Sequence, residues 1–275
     1  MAPGRSAALY TALAAVFSAP LWVLVARRGV HDTPAVLALM YCPAAAAFVA
    51  AWVTRRPVAA FGWHWPAFRF MAAGYAIPVA YAAAAYGVVW ALGLGRPDTV
   101  HYAAMTHHDF WHGLPLLAVV GVFGGCIAAL GEEIGWRGFL VPVLASKYGF
   151  AATALISGAI WTAWHVPIIV FGDYNGGTPA WYGVTCFAAC VLGVGFLFAW
   201  LRMASGSVWP CVMLHAVHNT YVQEVFTPLT ASTGHTAWFI DEFGAVLPVA
   251  IIVAAILAIR YFPLPGWRLP EFGVA

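Results

Sequence analysis

Apolar stretches long enough to cross a bilayer recur along this chain, and few charges interrupt them. A membrane-spanning helix needs about 20 predominantly apolar residues. Such runs are legible at about 7–26, 34–53 and 70–94, from Leu114 to the charged stretch at 132–137, and at about 149–171, 181–201, 207–226 and 244–262. Charged residues occupy 8% of the 275 positions, where a soluble domain carries about 25%. The implied fold class is all-α, a polytopic transmembrane helical bundle of about eight spans. A transmembrane barrel does not fit, because its strands alternate polar and apolar residues over segments of about 10. No connecting segment is long enough to fold separately, so 1–275 reads as a single membrane domain without an internal repeat.

The first run is closed by Arg27 and Arg28 and is followed by more spans, so it reads as a retained span and not a cleaved signal. An excess of Lys and Arg marks the cytoplasmic side of a membrane protein. With the N-terminus inside, the inner segments hold Arg5, Arg55, Arg56, Arg69, Arg137, Lys147, Arg202, Arg260 and Arg268. The outer segments hold Arg27, Arg28 and Arg96. The expectation is a multipass protein of a cell membrane, bacterial in character, with both termini cytoplasmic. It places 132–137 near the cytoplasmic end of the fourth span, in a pocket open to that side. The lipid bilayer is the first partner.

A net charge of +2 without a basic patch gives nucleic-acid binding no footing. The five cysteines, Cys42, Cys126, Cys186, Cys190 and Cys211, fall in or near apolar runs and read as packing residues. His101, His107, His108 and His112 lie in a polar connector, 96–113, and read as exposed. Asp173 and Asn175 fit the turn-rich break at 172–179. Glu224, Asp241 and Glu242 read as interfacial or solvated.

Against this apolar background, EEIGWR at 132–137 stands out. Glu133 and Arg137 are four residues apart, share a helix face, and can compensate each other as a buried pair. Glu132 points about 100 degrees away and is left without a nearby partner in the sequence. A carboxylate facing a polar cavity can accept a proton from water. Ionisable groups inside a membrane mark functional sites by default. Two later spans bring further polar groups. Trp161 and His165 share a face in WTAWH, beside the helix-bending Pro167. His215 and Asn219 form one edge in HAVHN, with His218 beside it. A neutral imidazole at His165 can hold or deprotonate water with Glu132. His215 and Asn219 can donate to an oxyanion. The same residues also allow other readings. Glu132, His165 and His215 could form a His/His/carboxylate zinc site, although the H-E-x-x-H pattern is absent. Polar helix faces can also line a transport route or hold helices together.

The three segments resemble the motifs of the CAAX-processing and bacteriocin-processing membrane proteases, the CPBP or Abi family. EEIGWR is similar to its double glutamate, three spacers and arginine. WTAWH is similar to its aromatic, three spacers and histidine, with Trp161 where Phe is usual. HAVHN is similar to its histidine, three spacers and asparagine. The resemblance covers roughly 115–225, which it marks as the catalytic core. It implies a glutamate-type intramembrane endopeptidase, a hydrolase without a required metal or other cofactor. On this resemblance Glu132 and His165 activate water, and His215 and Asn219 stabilise the tetrahedral oxyanion. Glu133, Arg137 and Trp161 support the site. The implied substrate is a peptide or membrane protein of unspecified sequence, prenylated or not. The alternatives are a zinc-dependent intramembrane metalloprotease, a multipass transporter, and a non-catalytic immunity or scaffold protein. Oligomeric state is open.

Overall fold

In the computed structural model, which describes residues 1–262, the chain forms nine helices. They are α1 (Pro3–Arg28), α2 (Thr33–Thr54), α3 (Phe68–Ala91), a short α4 (Thr99–Thr106), α5 (Phe110–Ala145), α6 (Phe150–Phe171), α7 (Ala180–Ser205), α8 (209–229) and α9 (Val246–Tyr261). Six of these, α1–α3 and α5–α7, are long and apolar enough to cross a membrane. The expected seventh span is α8, whose apolar pattern is broken by polar side chains turned into the protein interior. The expected eighth is α9, with 16 residues. Arg268 and Glu271 lie outside the described residues.

The polar connector is more ordered than its composition suggests. Asp98 accepts from the backbone N–H groups of Val100 and His101, and Asp109 from those of Trp111 and His112. These bonds cap the first turns of α4 and α5. Both carboxyls are held below their ordinary range, Asp98 first by the backbone N–H of His101 and Asp109 first by the His112 ring, 2.9 Å away. The fourth span therefore starts at Phe110, not Leu114, and it continues through the EEIGWR stretch to Ala145. His107, His108 and His112 are exposed and His101 is half-buried.

The helices alternate in direction, so the connections collect on two opposite faces. The near face holds the start of α1, the 55–67 connection, the 146–149 and 206–208 turns and the end of α9. There the Val208 N–H donates to the Gly62 carbonyl at 2.9 Å, and Ser207 Oγ to the His64 carbonyl at 2.8 Å. The far face holds residues 29–32, 92–109, 172–179 and 230–245. There Arg96–Pro97 pairs antiparallel with Thr230–Ala231, and Asp173 accepts from the Val30 N–H at 2.9 Å. Asn175 accepts from the Gly177 N–H within its own turn.

Close helix approach fixes the depth of the charged stretch. α5 crosses α2 at Gly131 and Gly135, four residues apart. A Cβ at Gly131 would meet the Met40 carbonyl at 2.6 Å, and one at Gly135 would meet Pro43 at 2.6 Å and the Tyr10 hydroxyl. Small residues at this spacing let helix backbones pack closely inside a membrane. The EEIGWR stretch is therefore pinned against α1 and α2 on its glycine face, which turns its carboxylates toward α6 and α8.

Candidate active site

α5, α6 and α8 bring Glu132, Trp161, His165, His215 and Asn219 to the wall of one cavity of about 240 Å³. Both α5 and α8 widen at the site. α5 becomes π-helical over Ile134–Leu140, directly after Glu133, and α8 over Thr220–Phe226, directly after Asn219. Such wide turns are frequent at functional sites because they shift the register of side chains along a helix. α5 has a further π-helical turn at Leu117–Gly121. No feature of the sequence marks these turns.

Glu132 is 2% exposed. Its Oε2 accepts from the indole N–H of Trp161 at 2.7 Å and from that of Trp136 at 3.2 Å. Glu132 is thus not without a local partner: Trp136 is four residues on and lies on the same face. Two donors on one oxygen fix the carboxylate and leave Oε1 as its uncommitted acceptor among the described residues.

The expected pair is present and is part of a larger group. Glu133 Oε1 accepts from Arg137 Nη1 at 2.8 Å and from His215 Nδ1 at 2.8 Å. The Arg137 guanidinium lies 3.6 Å from the Phe198 ring centre and 4.2 Å from that of Trp161. Aromatic faces attract a cation placed over them, most strongly where water is excluded. Arg137 also sets the helix next to it, since its carbonyl accepts from Arg202 Nε at 2.8 Å. Buried charges unpaired would be expensive; here each has a partner.

Trp161 is the hub of the site. Its indole donates to Glu132, its carbonyl accepts from His165 Nδ1 at 2.9 Å, and its ring covers Arg137. A carbonyl only accepts, so the His165 proton sits on Nδ1 and Nε2 is the basic nitrogen. Phe at this position would keep the ring and the carbonyl and lose the N–H. The sequence suggested a shaping role for Trp161; the indole donor is an additional one.

At His215 the ring nitrogens are placed differently from the expectation. Nδ1–H donates to Glu133, so a neutral ring offers Nε2 as an acceptor. It donates to an oxyanion only as the imidazolium, which the Glu133 carboxylate supports. Asn219 lines the same cavity, and its carboxamide has no hydrogen-bond partner among the described residues.

The opposite wall was not foreseen. Glu242, read as interfacial or solvated, is 4% exposed and lines the cavity. The 230–245 loop folds inward and places its carboxylate among donors from α8 and the 172–179 turn. His218 Nε2 donates to it at 2.9 Å, Gln223 at 3.0 and 3.1 Å, and the Tyr174 hydroxyl at 3.0 Å. The Tyr81 hydroxyl donates to His218 Nδ1 at 2.6 Å. Burial pushes the Glu242 carboxyl up, but the donors outweigh it and hold it below its ordinary value. Asp241 is pushed up to about 7, by burial first and then by the Glu242 charge. Glu224 is exposed, as expected. His218 was the one legible clue, as a histidine one turn from His215.

The cavity is lined from the middle of the bundle toward the far face. Val30, Val36, Tyr174 and Glu242, from far-face turns or the first turn of a helix that starts there, line its far end. Toward the near face, Tyr10, Phe61, Trp136 and Phe139 close the bundle with no more than 2% exposure each.

With this geometry in place, the relatives of the chain bear directly on it. Residues 114–221 match the family model described as type II CAAX prenyl endopeptidase Rce1-like. The chain is also 33% identical over 100 residues to CAAX prenyl protease 2 of Methanococcus maripaludis, a match covering 34% of this chain and 36% of that protein. The chain thus aligns with little more than a third of that relative's length. The matched segment contains Glu132, Glu133, Arg137, Trp161, His165, His215 and Asn219 together. Glu242 and its partner Tyr81 fall outside it, and Tyr174, His218 and Gln223 complete the wall that they build. For the zinc alternative, Glu132, His165 and His215 share the cavity, but no three His, Cys, Asp or Glu side chains among the described residues are grouped closely enough to hold a metal ion.

Proposed function

We propose that this protein is a membrane-embedded endopeptidase of the Rce1-like type, which hydrolyses a peptide bond with water activated by Glu132 and His165. The observation that carries this reading is the shared cavity. A fixed carboxylate, a neutral imidazole with Nε2 free to accept, and a free carboxamide meet in one pocket inside an apolar bundle.

Water enters between Glu132 Oε1 and His165 Nε2. Glu132 takes its proton as the oxygen attacks the carbonyl carbon. Negative charge gathers on the carbonyl oxygen, where the Asn219 amide and the His215 imidazolium donate to it. The proton on Glu132 passes to the leaving amine as the carbon–nitrogen bond breaks. Glu133 holds His215 in place and Arg137 holds Glu133; neither touches the substrate in this scheme. The bilayer is the medium in which both protein and substrate are presented.

The test is direct cleavage. The purified protein, reconstituted in lipid vesicles, is incubated with single-span reporter peptides, and new chain ends are sought by mass spectrometry. The proposal expects two complementary fragments with the parent and a sharp loss with Asn219→Ala or His165→Ala. Full cleavage by both variants would remove the proposed mechanism. A transport or scaffold role would be favoured by solute flux without any fragment.

A further inference from the structure

The Asn219 carboxamide has no hydrogen-bond partner among the described residues, so its aim is set by the backbone that carries it. That backbone changes register at this point. α8 is α-helical up to Asn219 and π-helical over Thr220–Phe226, where the Thr227 N–H donates to the Val222 carbonyl, five residues back. π-helical turns are rare and occur mostly as single turns inside α-helices. This one leaves the Thr220 hydroxyl, in a residue 1% exposed, without a partner among the described residues. A buried hydroxyl without a hydrogen bond is unfavourable, so other contacts have to hold the register.

Glu242 supplies them. His218 Nε2 and Gln223 Nε2 both donate to its Oε1, at 2.9 and 3.0 Å, and Gln223 also reaches Oε2 at 3.1 Å. His218 stands one residue before Asn219 and Gln223 four residues after it. On an α-helix, side chains five residues apart point about 140 degrees apart. The wide turn brings both round to one carboxylate. That carboxylate is a fixed post. The Tyr174 hydroxyl donates to its Oε2 at 3.0 Å. Asp241, at a φ of 64 degrees, takes a left-handed conformation uncommon for residues other than glycine. The chain turns there, and Glu242 and Phe243 both enter the bundle. Phe243 stacks on Phe187, with ring centres 5.6 Å apart, and meets Tyr174 edge to face at 4.9 Å. The Tyr81 hydroxyl, 2.6 Å from His218 Nδ1, holds that ring with Nε2 toward Glu242.

We infer that Glu242 is a positioning residue for the reaction: its carboxylate clamps the wide turn of α8 on both sides of Asn219 and so fixes the aim of the oxyanion donor. In this role it acts through Asn219 and not on the substrate. Glu242 lies beyond the matched segment 114–221, so the clamp is contributed by the 230–245 loop. Its effect on catalysis rests on the proposed peptidase activity; its hold on α8 does not.

Two readouts separate the clamp from the chemistry. Amide hydrogen exchange of the full chain in detergent, followed by mass spectrometry, reports the turn without any substrate. Glu242→Ala removes the clamp. Gln223→Met removes only the donor after Asn219 at similar volume, and keeps the test open where Glu242→Ala does not fold. The inference expects exchange over residues 219–229 to speed up in the folded variants while α6 exchanges at the parent's rate. Unchanged exchange over 219–229 would overturn it. The second readout is cleavage of a membrane-inserted reporter. One oxyanion donor contributes about 100- to 1,000-fold to kcat, so a loosened Asn219 should lower kcat by about 10-fold or more, with KM within about twofold. In an Asn219→Ala background the same substitution should cost nothing further, since no donor is left to aim. Faster exchange with an unchanged kcat would overturn the positioning role, as would an equal fall of kcat in the Asn219→Ala background. If the parent cuts no reporter, the peptidase reading fails, and the exchange still decides whether Glu242 holds the turn.

Discussion

Replacing Trp161 with Phe isolates one bond in the proposed mechanism. The substitution keeps an aromatic ring under Arg137 and leaves the backbone carbonyl that holds His165. It deletes the indole N–H that donates to Glu132 at 2.7 Å and leaves only the longer bond from Trp136, at 3.2 Å. A hydrogen bond to a charged group contributes about 1.5–3 kcal/mol. If the whole of that bond serves to hold the carboxylate in its attacking position, kcat/KM falls by roughly 10- to 100-fold. The loss belongs in kcat more than in KM, because the indole faces the base and not the substrate. The assay is cleavage of a membrane-inserted reporter by purified parent and Trp161→Phe, with thermal unfolding in detergent run in parallel. An active Trp161→Phe variant with unchanged kcat/KM and unchanged unfolding would refute the claim that this indole positions the base. A collapse in stability would show that its ring contacts outweigh the bond.

Other outcomes follow from the same contacts. Arg137→Ala leaves Glu133 buried with only His215 as donor and should destabilise the protein by about 3–5 kcal/mol, seen as a lower unfolding temperature in detergent. Gly135→Ala places a methyl group against Pro43 and the Tyr10 hydroxyl, and overpacking of this kind costs about 1–3 kcal/mol; an unchanged unfolding temperature would show that α2 and α5 separate easily. Asp241 is pushed up to about 7 in the folded protein, so the folded state keeps a proton that the unfolded chain releases near its ordinary value. This contribution is present at low pH and is lost as pH rises toward 7; Asp241→Asn, which keeps an oxygen to accept from the Glu242 N–H, should flatten that part of the pH–stability curve.

The sequence carried the helical architecture because a bilayer demands long apolar runs, and it carried the Glu133–Arg137 pair because four-residue spacing on a helix is a local property. The three motif segments were legible for the same reason: each is a pair of residues one turn apart. What was not legible depends on contacts distant in sequence. The Glu242 wall arises only when the 230–245 loop folds back onto α8, 19 residues away at Gln223 and 24 at His218. The π-helical turns after Glu133 and Asn219 have no residue signature. The far-end lining of the cavity was not legible because Val30, Tyr174 and Glu242 come from three separate connections. Trp136 is the exception: its bond to Glu132 spans four residues and was open to prediction from spacing alone.

The central claim, that Glu132 is the base, is tested most directly by Glu132→Gln. The amide keeps the shape of the side chain and an oxygen for the two indole donors, and it removes the proton-accepting charge. General-base catalysis is worth about 100- to 10,000-fold, so the purified, folded variant should cleave a membrane-inserted reporter at least about 100-fold more slowly than the parent. Cleavage at the parental rate and at the same bond would contradict the mechanism outright.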